Sequence, residues 1–550
     1  MKLVTVAEMQ ALERAAAEHG LPYERMMENA GRATAEVVRA RFAGAPARAL
    51  VLVGPGNNGG DGLVAAYYLH RWGFQVAVYI WRRGTGEDPN LARAEAAGIP
   101  VWRGADDPGQ ERLRALLAAC DVLLDALLGT GAGGALRGDL PGLLAACHMA
   151  LGDMAIRPFI VAVDLPSGLD ADNGAIDAAA LPADLTVTFA CPKRGHYLYP
   201  GADWVGHLQV ADIGIATDPE LPLEVATDET VAALLPARPR NSHKGTYGRA
   251  LVVAGSANYV GAPALAAEAA YRSGAGLVTA ALPQRIYPLV AGRLREPTFL
   301  LLPDDLGALV PAGARLVLDR LADYDALLVG PGLGGEAPTS AFLEALLRRR
   351  PAGARPLGFG ILAPATEPAA LPPLPPLVLD ADGLNLLREV PDWPRLIPAQ
   401  CVLTPHPGEM ARLLDLSIGR VQTDRIGVAC TAAHDWGCVV ALKGAYTVVA
   451  APDGRATVIP FANALLATAG SGDVLAGAIV GLLAQGAEAY AAAVCGAYLH
   501  GLAGALRAAE IGDAGMLAGD LLPLLPLTRQ RLRGAMPMGR DCSNCGAVRL

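Results

Sequence analysis

Three features are absent from this sequence, and each absence argues against a class of protein. Positive charge is not in excess: 45 lysines and arginines against 54 aspartates and glutamates give a net charge of −9, which argues against nucleic-acid binding. The nine cysteines are odd in number and scattered, so no disulfide framework is expected. No uninterrupted apolar run reaches the roughly 18 residues that cross a bilayer, and the opening MKLVTVAEMQALERAA, with its early acids, does not look like a secretory signal. We therefore expect a cytoplasmic protein.

The sequence does contain a repeated alternation of short β-type runs and helical segments. Its 550 residues are too many for one ordinary core, so two or more domains are expected. The alternation is typical of parallel sheets covered by helices, and it predicts an α/β fold with two three-layer αβα domains. The β-type runs lie at 49–53, 74–80, 121–125, 159–164 and 208–215, and then at 249–254, 326–330, 377–380 and 439–443.

Changes in composition predict the domain boundaries. The stretch 216–240 is acidic and then proline-rich, without a strong strand pattern, and the stretch 348–376 is rich in alanine, proline and arginine. Near the end, Cys542 and Cys545 form a single Cys-x-x-Cys pair without a second pair nearby, so a zinc site is weakly supported. The predicted organisation is a domain at 1–215, a linker at 216–240, a second domain at 241–530 with a surface insertion near 348–376, and a disordered tail at 531–550.

The most informative motif is NALLATAGSGD, which ends at Asp473 and runs directly into an apolar helix. Small residues at a helix start leave backbone N–H groups accessible, and such groups bind anions. Asp473 is placed where a base reaches a hydroxyl beside a bound phosphate. The motif therefore predicts phosphoryl chemistry on a small hydroxylated molecule. The alternative is a glycine-rich turn in which Asp473 only caps the helix.

Glycine loops and oxygen-bearing side chains follow three predicted strands of the first half. GPGNNGGDG follows the first strand, Asp125 precedes a GTGAGG loop, and Asp164 opens DLPSG. Ligands bind at the carboxyl ends of parallel strands, and oxygen ligands such as those of Asn58, Asp125 and Ser167 suit a hard cation. The alternative is that the asparagines make turns and Asp164 caps a helix.

These N-terminal motifs, GPGNNGGDG, DALLGTG and VDLPSGLDADNG, together resemble the YjeF N-terminal domain, the NAD(P)H-hydrate epimerase family, over residues 1–215. The resemblance implies a Rossmann-like fold in which Asp164 is the acid/base near C6 of a hydrated nicotinamide. It also implies a potassium ion held by Asn58, Asp125 and Ser167. The residues it implies for binding the hydrated dinucleotide are Asn57, Asn58, Gly59, Gly60, Asp61, Gly129, Thr130, Gly131, Ala132, Gly133, Gly134, Ala135 and Asp164.

The second half carries HKGTYGRALVVAGS, GPGLG, DADGLN, TPHPGEM, KGAYT and the GSGD segment. Together these motifs resemble the ADP/ATP-dependent NAD(P)H-hydrate dehydratase family, a branch of the ribokinase-like fold, over about 226–530. The resemblance implies that Ala262, Gly334, His406 and Asp473 face the hydrate, that Asp473 activates its C6 hydroxyl, and that Mg²⁺ takes part. The residues it implies for ADP are Lys443, Gly444, Ala445, Tyr446, Thr447, Asn463, Ala464, Leu465, Leu466, Ala467, Thr468, Ala469, Gly470, Ser471 and Gly472.

Both halves together indicate a bifunctional metabolite-repair enzyme. One half would interconvert the R and S epimers of NADHX and NADPHX, and the other would dehydrate the S form with ADP, giving NAD(P)H, AMP and phosphate. We expect small-molecule partners only, with neither nucleic acid nor membrane, and a homo-oligomer. The alternative is a ribokinase-like small-molecule kinase fused to a non-catalytic binding domain. For two single residues a purely structural role also stays open: His406 as a surface or capping histidine, and Lys443 as a surface charge at a strand end.

Overall fold

A computed structural model describes residues 1–42, 47–84, 88–131, 136–349 and 373–535. It divides into two compact units, Met1–Glu224 and Val225–Leu550. Most of the predicted insertion, the part at 350–372, lies outside the described residues, as do 132–135 of the second glycine loop and 536–550 with Cys542 and Cys545.

The N-terminal unit is a seven-stranded parallel sheet in the order β3-β2-β1-β4-β5-β6-β7. The strands are β1 (Arg48–Val53), β2 (Gln75–Ile80), β3 (Val101–Arg103), β4 (Val122–Ala126), β5 (Phe159–Val163), β6 (Leu185–Phe189) and β7 (His207–Ala211). The helices are α1 (Val6–Glu18), α2 (Tyr23–Arg41), α3 (Asn57–Arg71), α4 (Pro89–Ala96), α5 (Glu111–Ala119) and α6 (Leu140–Gly152).

Side chains on both faces of this sheet are buried, as expected for a parallel sheet with helices on each side. Alternate residues of β1 enter different core clusters: Val51 and Val53 pack in one, Leu50 and Leu52 in the other. The strand order reverses between β1 and β4, and a crevice opens at the carboxyl ends of the strands at such a point. The predicted loops therefore end at a ligand-binding position.

The C-terminal unit contains a ten-stranded sheet in the order β11-β10-β9-β14-β15-β16-β17-β18-β19-β8, parallel from β11 to β17 and antiparallel from β17 to β19. The strands are β8 (Leu223–Val225), β9 (Arg249–Val253), β10 (Leu277–Pro283), β11 (Thr298–Leu302), β12 (Asp304–Asp305), β13 (Ala308–Leu309), β14 (Ala326–Val329), β15 (Leu377–Leu379), β16 (Cys401–Leu403), β17 (Val439–Leu442), β18 (Val448–Ala450) and β19 (Ala456–Val458), with β12 and β13 paired separately.

The helices of this unit are α7 (Asp228–Leu234), α8 (Ala262–Ser273), α9 (Tyr287–Ala291), α10 (Pro311–Leu318), α11 (Ala337–Arg348), α12 (Asp382–Leu387), α13 (Pro407–Leu414), α14 (Ile418–Thr423), α15 (Arg425–Trp436), α16 (Ser471–Ala484), α17 (Ala489–Ile511) and α18 (Leu524–Ala535). Among the described helices, α17 alone is long and apolar enough to cross a membrane, but most of its apolar stretch is buried within the structure.

Glycines let α16 pack closely on α8, and this packing fixes the position of the N-terminus of α16. A Cβ on Gly477 would lie 2.3 Å from the carbonyl oxygen of Ala266, and one on Gly481 would lie 2.2 Å from Oγ of Ser273. Both distances are shorter than any non-bonded contact, so only glycine allows the two backbones to approach this closely. The buried run from Val474 to Ala484 then holds the GSGD turn at the carboxyl edge of the sheet.

Two boundary predictions are wrong in part. The predicted linker at 216–240 contains β8 and α7. The strand could not be predicted, because three residues at a sheet edge are too few to produce a recognisable pattern. The hydroxyl of Tyr498 donates to Asp228 at 2.6 Å, which ties α7 to the C-terminal unit. The predicted tail begins too early, since α18 continues to Ala535 and Leu532 is fully buried.

Candidate active sites in the two units

In the N-terminal unit, the structure brings together the three residues predicted to hold potassium. Nδ2 of Asn58 donates to the carbonyl oxygen of Leu128 at 2.8 Å, and the Leu128 N–H donates to Oγ of Ser167 at 2.9 Å. The Ser167 hydroxyl and N–H donate in turn to the two oxygens of Asp125, at 2.6 and 2.8 Å. Residues from three strand ends thus form one connected and buried network.

One acceptor in this network lacks a partner among the described residues. Oδ1 of Asn58 is buried without a hydrogen bond, although a buried acceptor ordinarily has one. Burial also raises the pKa of Asp125, with hydrogen bonds from Ser167 and Leu127 opposing that rise. An orphaned amide oxygen beside a buried carboxyl group and a hydroxyl fits a hard monovalent cation.

Asp164 follows β5, three residues before Ser167, and is held at its side chain and its backbone. Its Oδ1 accepts from the ammonium of Lys193 at 2.6 Å and from the hydroxyl of Thr188 at 2.8 Å. The backbone of Asp164 has φ +64°, and Nε2 of His196 lies 3.1 Å from its carbonyl oxygen. Burial favours the neutral acid, but the charge and hydrogen bond of Lys193 prevail and lower the pKa of Asp164.

Two further carboxyl groups face this position. Burial is the largest cause of a raised pKa at Asp61, on α3, and at Glu13, on α1, and the negative charge of Asp164 adds to both shifts. The site therefore combines one carboxyl group held as an anion with two that hold their protons more tightly. General acid–base chemistry requires neighbouring groups whose pKa values differ in this way, so that one accepts a proton and another donates one.

The glycine loops keep the surroundings open. A Cβ on Gly59 would lie 2.2 Å from the carbonyl oxygen of Gly54, so the turn into α3 requires glycine. Gly60 and Asp61 are buried beside it, whereas Asn57 is exposed at the helix start. In the second loop, a Cβ on Gly129 would lie only 3.1 Å from the side chain of Asn58. The next two residues, Thr130 and Gly131, are the last described residues of this loop. Ala132, Gly133, Gly134 and Ala135 lie outside the described residues.

Sequence reasoning missed Thr188, Lys193 and His196 as site residues. Thr188 lies within β6, and Lys193 and His196 follow that strand in CPKRGH. The available signal was a lysine soon after a buried parallel strand, at the same edge as the other loops. The sequence could not show that this lysine, Lys193, forms a buried ion pair with Asp164, since the two residues lie 29 positions apart in the chain.

In the C-terminal unit, the centre of the site is an ion pair at the ends of β15 and β17. Oδ1 of Asp380 accepts from Nζ of Lys443 at 2.5 Å and from the Thr404 hydroxyl at 2.7 Å. Oε2 of Glu409 lies 3.7 Å from the same ammonium. Burial opposes the charge of Lys443, but the two carboxylates prevail and raise its pKa. The structure therefore contradicts the alternative that Lys443 is only a surface charge at the end of a strand.

Asp473 lies in the first turn of α16, beside this ion pair. Burial, followed by the negative charge of Asp380, raises the pKa of Asp473 to about 7, and Lys443 opposes that rise. A carboxyl group with such a pKa is suited to act as a base near neutral pH. The preceding Gly470 has φ +89°, and none of the described side chains caps the helix start.

The predicted nucleotide segments meet at this helix start. A Cβ on Gly472 would lie 3.5 Å from Nζ of Lys443 and 3.9 Å from Oδ2 of Asp380. This oxygen is buried without a hydrogen-bond partner in the part of the chain that the structure describes. Asn463 caps the turn that leads to the helix, and Oγ of Ser471 donates to the carbonyl oxygen of Leu466 at 2.8 Å. Residues 443–447 and 466–473 are half-buried or exposed, so this edge is open to a ligand.

The predicted hydrate-binding residues border the same edge. Gly332 brings its loop against α8, because a Cβ there would lie 2.9 Å from that of Ala262, and the Gly334 N–H donates to Asp382 at 2.9 Å. His406 caps α13 through its Nδ1, which is the structural role left open by the sequence. Its Nε2 also lies 3.4 Å from Oε1 of Glu409. Sequence reasoning missed Asp380 and Glu409, although both lie in the motifs DADGLN and TPHPGEM.

Comparisons with known proteins show which families the two halves of the chain match. A family model described as NAD(P)H-hydrate dehydratase matches residues 250–354 and 363–527, and one described as YjeF-related protein N-terminus matches 23–195. These matches confirm the two predicted resemblances and the α/β folds that they imply, and they weigh against the small-molecule kinase.

Relatives cover the whole architecture. A bifunctional NAD(P)H-hydrate repair enzyme Nnr from Moorella thermoacetica is 40% identical, covering 98% of this chain and 100% of the relative. The enzyme of the same name from Thermofilum pendens is 37% identical, covering 97% of each. A crystal structure of ADP/ATP-dependent NAD(P)H-hydrate dehydratase from Bacillus subtilis, co-crystallised with ATP/Mg²⁺, is 30% identical over 56% of this chain and 98% of its own, with a TM-score of 0.46. The chain belongs to the family of bifunctional NAD(P)H-hydrate repair enzymes.

Proposed function

We propose that this chain restores NAD(P)H from both epimers of its C6 hydrate. The N-terminal unit interconverts the R and S epimers, and the C-terminal unit dehydrates the S form with ADP, releasing AMP and phosphate. Family membership supports both activities, and the two sites supply the groups that each reaction needs. The cytoplasmic location and the homo-oligomeric state stay predictions from the sequence.

In the dehydration, Asp473 acts as the general base. It takes the proton of the C6 hydroxyl while that oxygen attacks the β-phosphorus of ADP and AMP leaves. The C6–O bond then breaks and phosphate departs, with the ring nitrogen supplying the electron pair. Loss of a proton from C5 restores the reduced nicotinamide. Phosphate is a far better leaving group than hydroxide, and the pKa of Asp473, about 7, suits the proton transfer that begins the sequence.

The surroundings of Asp473 fit the charged co-substrate. The uncapped start of α16 presents N–H groups to phosphate oxygens, and the adjacent ammonium of Lys443 adds a positive charge. Mg²⁺ would neutralise the phosphates and would be held through the nucleotide. Among the described residues no cluster of three or more His, Cys, Asp or Glu side chains forms a separate metal site.

In the epimerisation, an acid and the Asp164 carboxylate share the proton transfers at C6. The C6 hydroxyl takes a proton from a protonated neighbouring carboxyl group, that of Asp61 or Glu13, and leaves as water while the ring nitrogen supplies the electron pair. Water then returns to the opposite face, Asp164 takes its proton, and that proton passes back to the acid. Asp164 is the anionic carboxylate that this exchange requires. Potassium, held by Asn58, Asp125 and Ser167, would order the two glycine loops around the dinucleotide.

The observation that carries this proposal is the position of Asp473 at an uncapped helix start, next to the Asp380–Lys443 pair. The test is to add the full chain to mixed R and S hydrates of NADH with ADP, Mg²⁺ and K⁺, and to follow the near-ultraviolet absorbance of reduced nicotinamide. We expect complete recovery of both epimers, recovery of only the S fraction with Asp164→Asn, and none with Asp473→Asn. Nucleotide consumption with a stable phosphorylated alcohol, and no recovery, would instead identify a kinase.

A further inference from the structure

The carboxylate of Asp164 is held on one side only. Its Oδ1 receives two hydrogen bonds, from Lys193 at 2.6 Å and from Thr188 at 2.8 Å, whereas no donor within the described ranges reaches its Oδ2. We propose that Lys193 is a positioning residue for epimerisation, which together with Thr188 holds Oδ1 and leaves Oδ2 of an anionic Asp164 as the oxygen that exchanges protons with the hydrate. This inference rests on the proposed epimerase function.

The contacts of Lys193 separate this role from direct catalysis. The residue is 1% exposed, and its ammonium donates to Asp164, to the Thr188 hydroxyl at 2.9 Å and to the Phe189 carbonyl oxygen at 3.4 Å. An ammonium has three N–H donors, and all three are used inside the protein. Lys193 therefore has no donor left for a bound hydrate and acts through Asp164.

The main chain of Lys193 contributes to the same arrangement. Its N–H donates to Nδ1 of His196 at 3.0 Å, so the proton of this imidazole lies on Nε2 and points to the Asp164 carbonyl oxygen. Burial, followed by the nearby ammonium, lowers the pKa of His196 to about 4, which keeps the ring neutral. This hydrogen bond helps to hold Asp164 in the left-handed region at φ +64°, which is unfavourable for a non-glycine residue.

The charges that face Asp164 make Lys193 the decisive cation. Asp61 on α3 and Glu13 on α1 contribute negative charge when ionised, and His196 is neutral. The positive groups beyond Lys193 act on these neighbours: Arg83 on Asp61 and Arg14 on Glu13. Without the ammonium, Asp164 would be a buried carboxyl group near other acids, and such a group takes up a proton at a higher pH.

The test compares three variants of the full chain by the pH dependence of kcat/KM for epimerisation, measured by separating the R and S epimers. With Lys193→Met we expect a loss of about 100-fold or more at neutral pH and an acid limb that moves upward by at least about one pH unit. With Lys193→Arg, which keeps the charge, we expect partial recovery and an acid limb near that of the unaltered chain. With Thr188→Val, which removes only a neutral donor, we expect a lower rate and an acid limb that moves upward by less than in Lys193→Met, because the Thr188 hydrogen bond lowers the pKa of Asp164 less than Lys193 does.

Lys2→Met is the matched control, because it removes the same charge elsewhere in the N-terminal unit and should leave the profile unchanged. Hydrate binding and thermal unfolding establish that each variant is folded, and Lys193→Arg decides the question if Lys193→Met does not fold. An acid limb that stays in place in Lys193→Met, or one that moves equally in Lys193→Arg, would overturn the inference. Absence of epimerisation in the unaltered chain would contradict the proposed function itself.

Discussion

The ammonium group of Lys443 lies 2.5 Å from Oδ1 of Asp380, a residue 63 positions earlier in the chain. Asp380 is 1% exposed, and its second oxygen is buried without a partner among the described residues. The lysine that the sequence assigns to the nucleotide is thus also the counter-ion of a buried carboxylate. Stability and chemistry are coupled at this pair.

The coupling predicts a large loss of stability when the lysine is removed alone. Lys443→Met leaves Asp380 buried without a counter-charge, which costs about 3 to 5 kcal/mol in comparable cases. We expect the free energy of unfolding of the C-terminal unit, measured with denaturant, to fall by that amount. Asp380→Asn added to Lys443→Met should recover part of the loss, and Arg315→Met, which breaks an exposed pair with Asp319, should cost less than about 1 kcal/mol. A loss for Lys443→Met no larger than this control would contradict the buried ion pair.

Replacement of the base should abolish dehydration without abolishing binding. Asp473→Asn keeps the shape of the side chain but cannot accept the hydroxyl proton, so we expect kcat for the S epimer to fall about 100- to 10,000-fold. Binding of the S hydrate, measured by calorimetry, should change little. Epimerisation by the N-terminal unit serves as the internal control. A kcat within a few fold of the unaltered chain would remove Asp473 from the mechanism.

The pH dependence of dehydration should report the same carboxyl group. Because Asp473 acts in its ionised form and its pKa is about 7, kcat/KM should be highest above this pH and should fall as the pH decreases through it. Burial is the first cause of the raised pKa and the charge of Asp380 the second. Asp380→Asn should therefore move the acid limb to lower pH. A limb that stays in place, or moves upward, would contradict this electrostatic coupling.

The start of α16 allows binding to be separated from folding. Gly472 does not have a positive φ, and its Cβ position is 3.5 Å from Nζ of Lys443, so Gly472→Ala should leave stability within about 0.5 kcal/mol. The added methyl group would occupy the surface proposed for phosphate, and we expect the KM for ADP to rise about 10- to 100-fold. Gly470→Ala is the contrast: with φ +89° and Leu265 2.7 Å from its Cβ position, it should lower the melting temperature. An unchanged KM for ADP in Gly472→Ala would argue against a phosphate at this helix start.

Potassium should affect one activity and not the other. Replacing K⁺ by the bulky tetramethylammonium ion should slow epimerisation while leaving the rate of S-hydrate dehydration unchanged, since the proposed ligands all lie in the N-terminal unit. Asn58→Ala removes the unpartnered Oδ1 and should make epimerisation insensitive to K⁺. Equal sensitivity to K⁺ in Asn58→Ala and in the unaltered chain would exclude this amide as a ligand.

Much of the architecture follows from local pattern. The buried apolar runs that became β1 and β9, followed by glycine loops and helices, indicate parallel sheets, and parallel sheets place their loops at one edge. This is why Asn58, Asp125 and Ser167, which belong to three separate motifs, could be expected to meet. Short elements without a periodic pattern were not accessible in this way, as β8 shows.

The sequence by itself determined that two α/β domains carry glycine loops and carboxylates at their strand ends, because periodicity and turn chemistry act over a few residues. Only the tertiary structure decided which charges meet: Lys193 with Asp164, and Lys443 with Asp380. It also decided the charge states. Asp164 has a lowered pKa and Asp473 a raised one, although both are aspartates at a strand end or a helix start. A pKa depends on burial and on the charge a few ångströms away, and in a parallel sheet that charge comes from a strand distant in the chain.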